Sequence, residues 1–340
     1  MSTELIGTTF PSTAQWFPFE QAMIASIRRQ IDNAFSDKQN LLVNMTWFGP
    51  QFDNDQYAKF LTAVADKKYD NLFLLAGVDP VFLNQEKLDA LTQTSGADCV
   101  YYMGNFDGPY QFNLPSIVVS KIFQSYTESE IDLQGTRYLY LNYNRKPRPH
   151  RVDLVNRLYQ ENLDGLGIIT LGEDTDVAPT AKKITVDHFD EQINSMGVKT
   201  SVFGIPDDVS SLGDLDIWNN HFLNIVSETE FFPWDNVFVT EKTWKPVIGM
   251  RPFVINGQTK IYTWLRKHGF RTFNHHWPHI EMEDLTELEV HDSIVSVIQY
   301  LATQDTQQMY QHMRTDLAHN RNRLAEFARE QQHTIDHLFV

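Results

Sequence analysis

At 340 residues the chain has room for two ordinary domains, and 42% apolar residues with 13% aromatics supply real cores. Its formal charge of −16, from 28 basic and 44 acidic residues, argues against nucleic-acid or membrane binding by the whole surface and leaves room only for a local basic pocket. One cysteine, Cys99, excludes an intrachain disulfide and points to a reducing compartment; set in the apolar run Ala97 to Met103, it reads as a small buried hydrophobe.

The first residues carry no basic segment followed by an apolar one. No stretch approaches the roughly 20 apolar residues of a membrane span. A soluble cytoplasmic protein is expected, in a host cytoplasm if the chain is viral.

Apolar spacings of three and four predict a helix over 15–36, through Phe17, Phe19, Met23, Ile24, Ile27 and Ile31. Leu41 to Trp47 reads as a strand, Asp53 as the cap of a helix carrying Tyr57, Phe60, Leu61 and Val64, and Leu72 to Ala76 as a second strand. A helix over 84–94 and a strand over 98–103 complete a β-α-β-α-β run, the pattern of a parallel, doubly wound sheet. Residues 104–115 read as a polar and aromatic loop and Ile117 to Tyr126 as a helix, with an acidic turn over 127–135.

The pattern then restarts. Tyr138 to Tyr143 is a predicted strand, Pro149 to Gln160 a helix, and Gly167 to Leu171 a strand. A polar loop over 172–182 precedes helices near 187–196 and 216–222 that flank a short strand at Thr200 to Phe203. Leu223 to Val226 and Pro252 to Ile255 add two apolar strands, with a helix starting at Thr240 between them. Residues 285–302 and 305–338 are helical by period, with Arg321, Arg323, Glu326, Arg329 and Glu330 as a solvated face.

The expected class is α/β. A first Rossmann-like domain spans 1–130, a second 131–285, and C-terminal helices 286–340, with a ligand in the cleft between the halves. No G-x-G-x-x-G follows a strand and no P-loop is present, which counts against a dinucleotide dehydrogenase or an NTPase.

Charged groups gather where the predicted strands of the second half end, the place where open α/β sheets hold ligands. Asn142-Tyr143-Asn144-Arg145-Lys146-Pro147-Arg148-Pro149-His150-Arg151 follows a strand and opens a helix. Its cations and the free N–H groups of a helix start suit an anion. The plain alternative is a solvated basic turn. Thr240 reads as an N-cap, and Lys242 in a first helical turn opposes the helix dipole unless an anion sits nearby. Glu241 could accept from ribose hydroxyls; Glu228 and Glu230 could bind a sugar or cap a neighbouring helix.

Metal readings are weaker. His275, His276 and His279 fall in HHWPH, where Pro278 stands against a helical i, i+4 reading, and no carboxylate follows in sequence before Glu281. Asp214-x-Asp216 resembles the D-x-D that holds a metal on nucleotide sugars but reads as a helix cap. No metal site and no required cofactor is expected, although a divalent ion is compatible with the chemistry.

On Phe238-Val239-Thr240-Glu241-Lys242-Thr243-Trp244, with Ser227-Glu228-Thr229 upstream and Pro252 to Ile255 downstream, the chain resembles the α-1,3-fucosyltransferase family. Thr240 to Pro246, Arg251 to Phe253 and Leu265 to Phe273 are similar to viral and bacterial fucosyltransferase-like proteins. The likeness spans about 137–275. It implies a GT-B fold and an inverting transfer from a GDP-sugar. It implies that Glu241 contacts ribose and that Lys242 contacts the diphosphate, together with Arg145 or its rivals Arg148 and Arg151. Trp244-Lys245-Pro246-Val247 departs from the family's pattern, which leaves the base and the sugar open.

The expected function is therefore a glycosyltransferase carrying a sugar from a nucleotide diphosphate to a hydroxyl acceptor. A first-domain carboxylate, Asp79 or Asp107, is the expected general base. Two alternatives stand beside it: a viral enzyme that glycosylates a hydroxymethylated DNA base, and a non-catalytic module that binds a nucleotide sugar or glycan.

Overall fold

The computed structural model describes residues 3–7, 17–44, 58, 61–65, 67–76, 85–104, 108–123, 126–144, 147–172, 183–184, 212–229, 231, 237–277 and 285–339. The chain divides into two compact units, Met1–Ile117 with Ala328–Val340, and Val118–Phe327.

In the first unit the elements are β1 (Glu4–Gly7), α1 (Phe17–Ala34), β2 (Asn40–Asn44), β3 (Asn71–Ala76), α2 (Gln85–Ser95), β4 (Cys99–Gly104) and β5 (Tyr110–Gln111), with α3 (Leu114–Phe123) beginning here. The strands form one parallel sheet in the order β1-β2-β3-β4-β5. β2 and β3 are buried along their whole length, as parallel strands covered on both faces must be. Alternation sorts their side chains. Leu41, Val43, Leu72 and Leu74 pack with Val64 and Leu91 on one face, and Leu42, Phe73 and Leu75 with Ile24, Ile27 and Ile31 of α1 on the other. Ile335 and Leu338, from the end of the chain, join that second face.

Cys99 departs from expectation: it is exposed. It opens β4, whose outer side is paired, among the described residues, at Met103 and Gly104, away from the strand's first residue.

In the second unit follow α4 (Glu128–Ile131), β6 (Tyr138–Asn142), α5 (Pro149–Gln160), β7 (Gly167–Ile169), β8 (Leu171–Gly172), β9 (Lys183–Ile184), α6 (Leu215–Asn219), β10 (His221–Ser227), α7 (Glu241–Ile248), β11 (Phe253–Asn256), α8 (Lys260–Lys267), α9 (Glu287–Leu301) and α10 (Thr306–Asp336). The last nine residues of α10 belong to the first unit. β11-β10-β6-β7 form a parallel sheet; β8 and β9 pair separately. The strand order reverses between β6 and β10, so the sheet has a topological switch point there, whereas the sheet of the first unit runs in unbroken order.

The helix expected over 216–222 is shorter. It ends at Asn219, and His221 already belongs to β10, where Leu223 pairs with Tyr140. Asp214 caps it, accepting from the Asp216 N–H at 2.8 Å, so the D-x-D pair serves as a cap.

Behind the sheet, Arg251 is fully buried and fans its guanidinium over main-chain carbonyls of Trp218, His221, Ile131, Gly249 and Met250. Burial lowers its pKa to about 10. Trp218 Nε1 donates to Gly249 O at 2.9 Å. The solvated face expected on α10 also needs correction. Arg321 is buried and donates to Tyr126 O, and Arg323 donates to His268 O at 2.7 Å. Glu326, Arg329 and Glu330 are exposed. A guanidinium satisfies several carbonyls at once, which lets arginine enter an interface that its charge alone would bar.

Among the described residues no helix is long and apolar enough to cross a membrane.

Candidate functional site

Because the second sheet is parallel, the C-terminal ends of β6, β10 and β11 share one edge, and α5, α7 and α8 each follow one of those ends. Three strands deliver a polar residue there. Asn142 closes β6, Ser227 closes β10 and Asn256 closes β11, all buried. Asn142 Nδ2 donates to Ile225 O at 2.8 Å and Ser227 Oγ at 3.0 Å. Asn144 Nδ2 donates to Asn142 Oδ1 at 2.6 Å, and Asn256 Nδ2 to His150 O at 3.2 Å. His291 Nε2 meets Asn256 Oδ1 at 3.0 Å, and an amide oxygen can only accept, so that nitrogen carries the proton.

Glu228, the residue after β10, sits at the switch point and is fully buried. Its carbonyl faces α5: it accepts from Arg151 Nη2 at 2.8 Å and Nε at 3.3 Å, and lies 3.0 Å from His150 Nε2. Its carboxylate faces α7. Oε1 accepts from the Thr240 N–H at 3.1 Å and Thr243 Oγ1 at 2.6 Å; Oε2 accepts from Thr240 Oγ1 at 2.5 Å and the Thr229 N–H at 3.2 Å. One residue thus holds the first turns of both helices.

α7 begins as its sequence predicts. Thr240 is the N-cap in extended conformation, its Oγ1 accepting from the Lys242 N–H at 3.3 Å. The negative charge that its dipole favours is supplied by Glu228, so the helix start itself is not left open to a phosphate. Lys242 Nζ pairs with Glu241 Oε1 at 2.5 Å and reaches Thr229 Oγ1 at 3.2 Å. Burial would raise the Glu241 pKa, but Lys242, aided by Lys245, overrides it and holds the carboxyl below its usual value. Lys242 keeps about a quarter of its side chain in solvent, at 27% exposed.

α5 starts differently. Arg148 is its N-cap and makes no side-chain cap bond, and Pro149 occupies the first helical position. Arg148 is half-buried. His150 is buried and its pKa is pushed down to about 4, first by burial and then by the charges of Arg151 and Arg148, which outweigh its bond to Glu228 O. It is neutral with the proton on Nε2, the nitrogen facing the carbonyl.

The structure therefore brings together Arg148, Arg151, Glu228, Thr240, Glu241 and Lys242, through Glu228. Three of them are engaged with one another by the fold: Arg151 by the Glu228 carbonyl, and Thr240 by the Glu228 carboxylate, whose other donors are Thr243 Oγ1 and the Thr229 N–H. Arg145, Asp79 and Asp107 lie outside the described residues, as do Asp53, Glu230 and His279. His291 was not singled out by sequence, and His150, Thr243 and the asparagines at the strand ends were read only as members of their motifs, without a role of their own. The signal was there in part: both YLYLN and FVIN end an apolar run on asparagine, a polar group that a buried strand end must then satisfy.

No protein-family model matches the chain, and no curated protein matches it. Among solved structures, a crystal structure of an alpha1,3-fucosyltransferase aligns over 98% of this chain and 90% of that chain, at 10% identity and a TM-score of 0.37. Likeness at that level establishes neither membership of a family nor an activity.

Proposed function

We propose that the C-terminal edge of the second sheet binds the ribose and diphosphate of a nucleotide sugar, a GDP-sugar first, and that the chain is a glycosyltransferase. The observation that supports this is the convergence on Glu228. It sets Lys242 and Glu241 at the start of α7, and Arg148 at the start of α5, on either side of a topological switch point.

In this reading the α5 start, which lacks a side-chain cap, takes the anion, with Arg148 at its cap and Lys242 from the α7 start; Arg145, three residues earlier in sequence, is the further candidate. Glu241 exchanges part of its bond to Lys242 for a ribose hydroxyl. Glu228, Thr240 and Arg151 hold the frame and touch no ligand. An acceptor hydroxyl attacks the anomeric carbon, the bond to the diphosphate breaks, and the cations stabilise the charge that develops on the leaving oxygen. Asp79 or Asp107 takes the hydroxyl proton. A single displacement of this kind inverts the anomeric centre. The cations supply the charge that a metal otherwise would, so no cofactor is required.

The test is a thermal-shift screen of the full chain against GDP, UDP, ADP, CMP and their sugars. A ligand at one hundred times its Kd stabilises by about 2.7 kcal/mol. Lys242→Ala and Arg148→Ala are expected to remove the response to whichever diphosphate binds. Unchanged responses in both variants would remove this reading. Turnover with the bound donor that survives both Asp79→Asn and Asp107→Asn would remove the base assignment. Donor binding without turnover on any acceptor would leave a binding module.

A further inference from the structure

His275 and His276 end a short 3-10 turn, Asn274–His276, that follows α8. Their rings lie 4.0 Å apart. Across from them, on α10, stands Asp316; one ligand atom from each of the three residues lies within 4.8 Å of the others. His276 Nε2 is buried and has no hydrogen-bond partner among the described residues. A buried imidazole nitrogen left without a partner costs stability unless something fills that position.

The frame around these groups is pinned. The Arg271 N–H donates to Asn320 Oδ1 at 2.7 Å, and Asn320 Nδ2 returns a bond to Arg271 O at 2.8 Å. His319 Nε2 meets Gly269 O at 2.9 Å. The segment that leads into the turn is thus joined to the helix just beyond Asp316 before any ligand arrives. Asp316 is held by Arg271 Nη1 through Oδ1.

We propose that His275, His276 and Asp316 form a binding site for a divalent transition-metal ion of the zinc class, with water as fourth ligand. Two imidazoles and a carboxylate are a nitrogen and oxygen set that suits zinc, cobalt, nickel or copper and not calcium or magnesium. Tetrahedral zinc with ligand bonds of about 2.0–2.1 Å needs its ligand atoms roughly 3.4 Å apart. The three ligand atoms, within 4.8 Å of one another, close to that spacing on binding, with His275 exposed. The ion fills the open position at His276 Nε2 and competes with Arg271 for Asp316. Its role is a staple between the turn and α10, independent of the proposed transferase chemistry.

The experiment titrates Zn²⁺ into the chelator-treated full chain against a competing indicator dye, then repeats it with Co²⁺ while recording visible absorption. One tight equivalent, a tetrahedral cobalt band and a raised Tm are expected. His275→Ala and Asp316→Asn should each weaken binding by roughly tenfold or more. His275 is exposed, so its removal leaves packing intact, and circular dichroism checks this. The variant His333→Ala/His337→Ala removes another exposed histidine pair, with rings 4.1 Å apart, and should bind as the parent does. Absence of a tight equivalent, binding that survives both His275→Ala and Asp316→Asn, or binding lost with His333 and His337 would each overturn the proposal.

Discussion

Arg151 donates from Nη2 to the main-chain carbonyl of Glu228 at 2.8 Å, and both groups are buried. This bond ties the first turn of α5 to the end of β10. The carboxylate of the same glutamate ties β10 to the first turn of α7.

Removing that carboxylate leaves two hydroxyls and two N–H groups without their acceptor inside the protein. Glu228→Ala is expected to cost about 3 kcal/mol or more in urea unfolding. Glu228→Gln keeps the shape but turns one acceptor into a donor facing donors, and should recover less than half of the loss. A Glu228→Ala variant as stable as the parent would remove the structural role argued for this residue.

Arg251→Lys is the second test. Lysine preserves the charge but cannot reproduce a fork that reaches Trp218, His221, Ile131 and Gly249 carbonyls together. Several buried carbonyls lose their donor, so a loss of about 3 kcal/mol is expected by chemical denaturation, with cooperative unfolding retained. The substitution touches nothing at the C-terminal edge, and any nucleotide affinity of the folded fraction should be unchanged.

Gly249→Ala places a Cβ 2.2 Å from Trp218 Nε1 and 2.3 Å from two carbons of the same ring. The indole is fully buried and hydrogen-bonded to Gly249 O, so it has no room to give. Overpacking of this kind costs about 1–3 kcal/mol or more. The quenching or shift of Trp218 fluorescence in the native state, read beside the loss of Tm, separates displacement of the ring from simple loss of a cap.

Acid should weaken the protein in two stages. His150 has a folded pKa of about 4, and His221, fully buried beside Arg251, is pushed well below its ordinary value of 6.5. Between about pH 6.5 and pH 4 the unfolded chain binds protons that the fold refuses, so stability present above pH 6.5 is lost as pH falls. The His150 shift alone corresponds to roughly 3 kcal/mol. Glu241, whose carboxyl is held below its usual value, adds a loss only at lower pH, as the folded carboxylate is finally protonated. Urea midpoints at pH 7.5, 6, 5 and 4 check the order. His150→Gln should flatten the first stage, and a midpoint constant from pH 7.5 to 5 would contradict it.

Local chemistry was legible in the linear chain. The span of α5 follows from its apolar spacing with Pro149 at its start, and Thr240 and Asp214 announce their caps because a cap joins residues only two or three apart. Buried β3 follows from an unbroken apolar run after Asn71, and buried β10 from an apolar run interrupted only by Asn224. Cys99 was misread because its neighbours are apolar. Only the pairing of the short partner strand, at Met103 and Gly104 among the described residues, shows that it lies away from Cys99.

What the sequence determined by itself, among the described residues, was the longer strands and helices and where polar residues end them, since period and capping act over a few residues; the short strands β1, β5, β8 and β9 carry too little pattern to be read. Which polar groups meet was decided by tertiary structure. The strand order β11-β10-β6-β7 sets Glu228 between α5 and α7 and turns its carboxylate inward, where it binds the fold. The packing of α10 brings Asp316 to His275 and His276, about 40 residues away in sequence. Such meetings depend on the register of a sheet and the side on which a helix lies. Burial then selects among the charges: a carboxylate or guanidinium enters only where the fold has already placed enough donors or carbonyls to receive it.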